Sequence, residues 1–256
     1  MLKDDRIKQI QNILNINGVV ETNALSKLFD VTEITVRRDL DELAMKGLVT
    51  RIHGGAVLPE TNAVMEAPYQ KRLDQNIGQK AAIALKASAL IMDNTKIIID
   101  SGTTTYFLTE KINYSLRLNV VTNAINIATE LTRHINVSVL LIGGELRKNT
   151  YSCVGPIAEE LLKRVRVKQS FIGATGMGLD GELYSISTFE AGVKNAMLNS
   201  AEEKIVLIDS SKIGKDEFIS FGNAIDCKYI VTDSLISPEL VKHYSELGVN
   251  LLIAPV

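Results

Sequence analysis

Cysteine is nearly absent. Cys153 and Cys227 are the only two, too few and too far apart for a disulfide framework or a zinc site. The histidines His53, His134 and His243 are scattered and do not supply the missing ligands, so no metal is expected. Long apolar runs are missing too. The best candidate, Ala81 to Met92, is broken by Lys86 and falls short of the ~18 residues a membrane span needs, so no membrane partner is expected. The opening MLKDDRIKQIQ places Asp4 and Asp5 where a signal peptide needs basic and then apolar residues, which points to a soluble, cytoplasmic protein. Neither charge sign dominates: 28 Lys+Arg face 30 Asp+Glu, which excludes a polybasic coat and an acidic disordered tail. What remains is a chain of 256 residues, 46% hydrophobic, long enough for one or two domains with a real core.

The pattern changes near residue 60. Residues 1–58 read as short helices followed by a glycine pair, and residues 71–256 alternate β-branched runs with amphipathic stretches. That alternation is the mark of an α/β domain with a mostly parallel sheet. Its expected strands are Lys96–Asp100, Asn119–Thr122, Val137–Ile142, Gln169–Gly173, Lys204–Asp209, Tyr229–Thr232 and Val249–Ala254. Helical patterns cover Thr104–Ile112, Asn123–His134, Pro156–Lys163, Phe189–Asn199 and Pro238–Leu247. Between the blocks, residues 59–70 contain PETNAVMEAP, an aperiodic stretch with two prolines that reads as a linker.

In the first block Ile7, Ile10 and Leu14 form one face of a helix ending by Gly18. A second helix carries Ala24, Leu25 and Leu28, with Thr22 as its N-cap, and Asp30-Val31 makes a tight turn. Thr32 caps a third helix whose core face is Val36, Leu40 and Leu43, and Gly47 stops it. At 100° per residue the opposite side presents Ile34, Thr35, Arg37 and Arg38. Arginines and short side chains are what a helix shows to a major groove, although one or two exposed arginines also suit a plain solvated face. Gly47 to Leu58 then reads as two short strands around a Gly54-Gly55 turn, a hairpin, which makes the block a winged helix-turn-helix with Arg51 and His53 near a phosphate backbone. Its 8 Lys+Arg balance 8 Asp+Glu, so DNA affinity must come from local placement and from multiple copies rather than a bulk field.

In the second block Ile97-Ile98-Ile99 runs into Asp100-Ser101-Gly102-Thr103-Thr104, a loop that opens a helix. Helix-start N–H groups and hydroxyls make an anion site, and Asp100 can accept from sugar hydroxyls; taken alone, the loop reads better as an N-cap with a tight turn. Other strand ends are polar or glycine-rich as well: Thr122-Asn123, Gly143-Gly144 with Arg147 and Lys148 beyond, and Asp209 to Lys212. Open α/β sheets bind ligands at these carboxyl ends. Glu190 and Lys194, at i and i+4, read as a surface pair. Gly176 to Gly181 matches G-x-G-x-x-G, but no helix follows at once, so no dinucleotide cofactor is expected. No catalytic Ser/His/Asp or Cys/His arrangement is recognisable.

Arg6-Ile7-Lys8-Gln9-Ile10, Leu25-Ser26-Lys27-Leu28 and Thr32-Glu33-Ile34-Thr35-Val36-Arg37-Arg38-Asp39-Leu40 resemble the helix-turn-helix of the DeoR family of bacterial transcription regulators. Gly47-Leu48-Val49 and His53-Gly54-Gly55-Ala56 fit the same pattern, and the resemblance continues through the second block. It implies a small winged helix-turn-helix followed by an α/β sensor domain like ribose-5-phosphate isomerase and CoA-transferases. It also implies DNA contacts from Thr32, Glu33, Ile34, Thr35, Arg37, Arg38, Arg51 and His53. The implied effector site, for a phosphorylated sugar, gathers Asp100, Ser101, Gly102, Thr103, Thr104, Thr122, Asn123, Gly143, Gly144, Arg147, Glu190, Lys194, Asp209, Ser211 and Lys212. The implied function is repression of carbohydrate uptake or catabolism genes by a dimer or tetramer bound to an operator in double-stranded DNA. Tyr184 to Phe189, YSISTF, lacks the Thr-Pro-Asn-like stretch common in the family, which leaves the sugar open. The competing class is a phosphosugar isomerase with an accessory DNA-binding domain. Related isomerases use Gly-Ala-Asp-Glu at a strand end, where this chain has Gly173-Ala174-Thr175-Gly176. Catalysis is therefore not expected.

Overall fold

The computed structural model describes residues 3–17, 19–46, 48–52, 54–57 and 67–256. The chain divides into two compact units, Met1–Pro68 and Tyr69–Val256. Gly18, Gly47, His53, Leu58 and residues 59–66 of the expected linker lie outside the described residues.

In the first unit Ile10 and Leu14, four residues apart on α1 (Lys3–Asn17), are fully buried. A short strand that periodicity does not announce, β1 (Val19–Glu21), leads into α2 (Thr22–Phe29). Thr22, expected as N-cap, is the first helical residue; Glu21 occupies the cap position without a side-chain bond. Leu25 and Phe29 bury the face of α2, while Ala24 and Leu28 are exposed. Asp30 makes the turn in the left-handed region at φ 52°, which a short polar side chain tolerates. Thr32 does cap α3 (Glu33–Met45), its Oγ1 accepting from the Thr35 N–H at 3.3 Å, and Val36, Leu40 and Leu43 are fully buried. Asp39 in the same helix takes two hydrogen bonds from Arg6, at 2.6 and 3.2 Å, with both residues buried. A fork-to-carboxylate pair of this kind fixes orientation as well as distance, so it locks α1 against α3. β2 (Thr50–Ile52) and β3 (Gly55–Val57) complete an antiparallel sheet ordered β1-β3-β2. Gly55, expected in the hairpin turn, is a strand residue opposite both Ile52 and Glu21.

The second unit opens with α4 (Tyr69–Leu73) and α5 (Ile77–Ser88), followed by β4 (Thr95–Ile99), α6 (Thr103–Thr109), β5 (Leu118–Thr122), α7 (Ile125–Leu131) and β6 (Val137–Leu141). A hairpin of β7 (Glu145–Arg147) and β8 (Ser152–Val154) leads to α8 (Pro156–Lys163) and β9 (Val167–Gly173). Then come β10 (Gly176–Met177), β11 (Glu182–Ser185), α9 (Thr188–Asn199), β12 (Ala201–Leu207), β13 (Ile219–Asn223), β14 (Tyr229–Asp233), α10 (Pro238–Glu246) and β15 (Leu251–Ala254). The seven expected strands form one parallel sheet ordered β15-β14-β12-β9-β4-β5-β6. Successive side chains face opposite sides, so Ile97 and Ile99 pack with α5, α6 and α7 while Ile98 packs with α8, α9 and α10. That two-sided burial explains the unbroken apolar runs. Gly176 to Gly181 folds into the β10–β11 hairpin, which β13 extends.

The chain enters the sheet at β4, extends to β5 and β6 on one side, then crosses to β9 on the other. The strand order therefore reverses between β4 and β9. This topological switch point is where open α/β sheets leave a crevice beyond their carboxyl ends.

Candidate functional site

Asp100 lies just past β4, and Gly173 ends β9, one on each side of the switch point. The Gly173 N–H donates to Asp100 Oδ2 at 3.0 Å, and Lys194 of α9 bridges the pair, donating to the same oxygen and, at 2.8 Å, to the Gly173 carbonyl. Both charged groups are buried. Burial pushes the Asp100 carboxyl above the usual range, against the pull of Lys194 and of the Gly173 N–H. Ser101 follows, its N–H donating to Asn123 Oδ1 at 3.2 Å, and Asn123 Nδ2 in turn donates to the Cys153 carbonyl at 3.0 Å. Thr122 Oγ1 accepts from the Ala124 N–H at 3.1 Å, which shapes the start of the next helix. Gly102 is the N-cap of α6, and Thr103 and Thr104 form its first turn, both buried.

Glu190 and Lys194 are not a surface pair. Both are buried and each binds elsewhere, because α9 packs this face against β9 and β11 rather than solvent. Glu190 accepts from the Ser185 hydroxyl at 3.3 Å and pairs with Arg147, which reaches across from β7 at 3.4 Å. Its charge also acts on Asp100. Asp100, Ser101, Asn123, Glu190, Lys194 and Arg147 thus converge around the switch point.

Asp209, past the end of β12, is two strands from Asp100, or about 10 Å in sheet spacing. Its carboxylate accepts from Ser211 and from Asn76 Nδ2 at 3.2 Å and pairs with Lys212 at 3.3 Å. Burial would raise its pKa, but Lys212, Ser211 and Asn76 outweigh that and hold it below the usual carboxylate range. Beside this group lies Lys80, buried on α5, its ammonium donating to the carbonyls of Arg72, Leu73 and Gln75. Burial, then the like charge of Lys212, against Asp209, then that of Arg72, against Asp74, bring Lys80 down to about 8. Gly143 and Gly144 follow β6, which lies two strands from β4 on the other side; a Cβ at Gly143 would meet open space, while one at Gly144 would meet the Val154 carbonyl at 2.6 Å.

Asn76, Lys80, Gly173 and Ser185 belong to this constellation, and sequence reasoning missed all four. Asn76 sits in the left-handed region at φ 50°, and Gly173 acts through its backbone. The one available signal was Lys80, a charge at the head of the apolar run beginning at Ala81.

On the first unit Ile34, Arg37 and Arg38 are exposed along α3, with Thr35 half-buried and hydrogen-bonded to Thr32. Glu33 pairs with Arg37 at 3.1 Å. Arg51 is held by Asp41 at 2.8 Å and by the Gly55 carbonyl, so it braces the wing to α3. Among the described residues no group of His, Cys, Asp and Glu can hold a metal ion, and no helix is long and apolar enough to cross a membrane.

The DeoR-like helix-turn-helix domain matches residues 6–62, and the DeoR C terminal sensor domain matches residues 75–234. A lactose phosphotransferase system repressor of Staphylococcus epidermidis is 36% identical over 251 residues, 96% of this chain and 99% of that protein. An uncharacterized HTH-type transcriptional regulator of Bacillus subtilis, YulB, is 32% identical over 256 residues, 100% of this chain and 98% of that one. Among solved structures, ribose 5-phosphate isomerase A of Methanocaldococcus jannaschii has a TM-score of 0.41 at 16% identity, covering 54% of this chain and 55% of that chain. A DNA-reading helix-turn-helix followed by a parallel-sheet sensor, matched in both parts, makes this chain a member of the DeoR family of transcription regulators.

Proposed function

We propose that the chain represses carbohydrate uptake or catabolism genes, binding a double-stranded operator as a homo-oligomer in the cytoplasm and releasing it when a phosphorylated sugar fills the switch-point crevice. The observation that carries this is the buried Asp100–Lys194 pair at the switch point, ringed by Ser101, Asn123, Glu190 and Arg147. Taking two charges out of water is costly even when they pair, so such a pair at the carboxyl ends of a parallel sheet points to a binding site. The phosphotransferase repressors among its relatives support the carbohydrate assignment.

Division of labour follows from exposure. Lys194 is fully engaged by Asp100 and Gly173, so it orients the crevice rather than meeting a phosphate. Lys212, its side chain 33% exposed, and Arg147, 24% exposed, are the cations with reach. The backbone of Ser101 to Thr104 adds N–H donors at the start of α6. Glu190 and Asp100 accept from sugar hydroxyls. The site binds and does not catalyse, because Asp100 Oδ2 is occupied twice and Thr175 and Gly176 replace the isomerase acids. No side chain can be added at 176, where a Cβ would stand 2.5 Å from the Lys215 carbonyl.

The test is thermal unfolding of the full chain with a panel of pentose and hexose phosphates, followed by operator affinity with the ligand that binds. A ligand at 100 times its Kd adds about 2.7 kcal/mol of stability. Lys212→Ala abolishes that gain while leaving operator affinity without sugar unchanged. If no sugar phosphate stabilises the chain, or a stabilising one is turned over, the reading is wrong.

A further inference from the structure

Helix α4 is the first element of the second unit, and the chain before it leads to the DNA-binding unit. Three groups of contacts hold it, each leading to a neighbour of candidate effector residues. At its start the Tyr69 hydroxyl accepts from Asn126 Nδ2 at 2.7 Å; Asn126 lies on α7, just beyond Thr122 and Asn123. The Asn126 carbonyl oxygen is buried without a partner among the described residues, so the amide relies on Tyr69 for its orientation. The Tyr69 ring also meets Tyr151 edge-on at 5.3 Å, and Arg72 donates to the Asn149 carbonyl at 3.4 Å. Both partners belong to the turn of the β7–β8 hairpin, whose Arg147 reaches Glu190. At the far end, Lys80 gathers the carbonyls of Arg72, Leu73 and Gln75, next to Asn76, which holds Asp209 and Ser211.

A five-residue helix has no stability of its own, so these contacts decide where α4 sits. An entering phosphate competes with Glu190 for Arg147 and with Asp209 for Lys212, and each exchange disturbs one group of anchors. We propose that α4 is the element through which occupancy of the crevice is reported to the DNA-binding unit, with the Tyr69–Asn126 bond as one of its latches. The inference rests on the effector reading above. Coupling arises because the ligand binds the two anchorings of α4 with different affinity.

The test uses the full chain, its operator, and galactose 6-phosphate and ribose 5-phosphate at saturation. Two quantities are read for wild type, Tyr69→Phe, Asn126→Ala and the double variant: the sugar-induced rise in melting midpoint and the sugar-induced change in operator affinity. In wild type the effective sugar changes operator affinity by at least about fivefold. In all three variants the midpoint still rises, while the operator response drops to below about twofold. The drop is the same in both single variants and in the double, because they remove one bond; general destabilisation would add instead. Variants that respond like wild type, or single effects that add, overturn the relay and leave the effector reading intact. If neither sugar raises the wild-type midpoint, the effector reading fails and the relay fails with it.

Discussion

Two adjacent arginines on α3 are not equivalent. Arg37 spends part of its charge on Glu33, one turn back, while Arg38 is exposed and makes no ion pair among the described residues. An unpaired guanidinium is ready for a bidentate contact with a guanine edge or a phosphate pair. Arg38→Ala is therefore expected to weaken operator binding by about 1–3 kcal/mol if it reads a base. Arg37→Ala loses less, since part of its charge is already spent on Glu33. Gel-shift titrations over a salt series check both: a base contact relaxes specificity at one position, and a phosphate contact lowers the salt slope by about one. Equal affinity of wild type and Arg38→Ala would remove Arg38 from the interface. At this scale the sequence spoke clearly where helical phase sets exposure, as for Ile34, Arg37 and Arg38. It misled where a charge is buried by a partner far along the chain. Glu190 and Lys194 looked like neighbours on a wet face, and nothing local shows that one answers Arg147 and the other Asp100. Asp39 belongs to the most specific stretch of the resemblance, yet its role is to hold Arg6 from inside the fold.

Elements were legible in proportion to how strongly one face is buried. The seven strands of the parallel sheet announce themselves because helices cover both sides and exclude polar residues. β1, β7 and β8, three residues each, are too short to carry a period; β7 and β8 pair only with each other, and β1 finds its partner β3 more than thirty residues along the chain. α5 was read only as an interrupted apolar run, since Lys80 and Lys86 break its stripe. The wing shows what such a short strand can demand. A Cβ on Gly55 would come within 2.0 Å of the Val20 carbonyl, because β1 crosses β3 at that point. The obstacle is backbone and cannot swing aside. Gly55→Ala is expected to cost about 1–3 kcal/mol, the range for overpacking a tight site. In a unit of this size that lowers the melting midpoint by about 4–8 °C per kcal/mol. Calorimetry should find the loss in the first unit, with sugar-phosphate stabilisation of the second unit retained. An unchanged midpoint would mean that β1 does not pair there.

For the whole molecule, the absence of a charge excess has the largest consequence. Residues 1–58 hold as many acids as bases, and some of the bases are already committed: Arg6 is buried against Asp39, Arg51 is tied to Asp41 and Lys46 to Glu42. Few cations remain to displace counterions, so one copy has little non-specific affinity and a shallow salt dependence. Joining two copies changes this without any new contact, because the second half-site is then met at an effective concentration in the millimolar range. A homo-oligomer on a two-fold operator is therefore the expected binding species, with half-sites spaced by whole helical turns. Light scattering at micromolar concentration should give a dimer or tetramer. Destroying one half-site should weaken binding by about 100-fold or more, whereas inserting half a turn between half-sites should do nearly the same by putting them on opposite faces. A monomer that holds a single half-site as tightly as the full operator would contradict this, and would require Arg38 and the wing to supply affinity that their charge count does not provide.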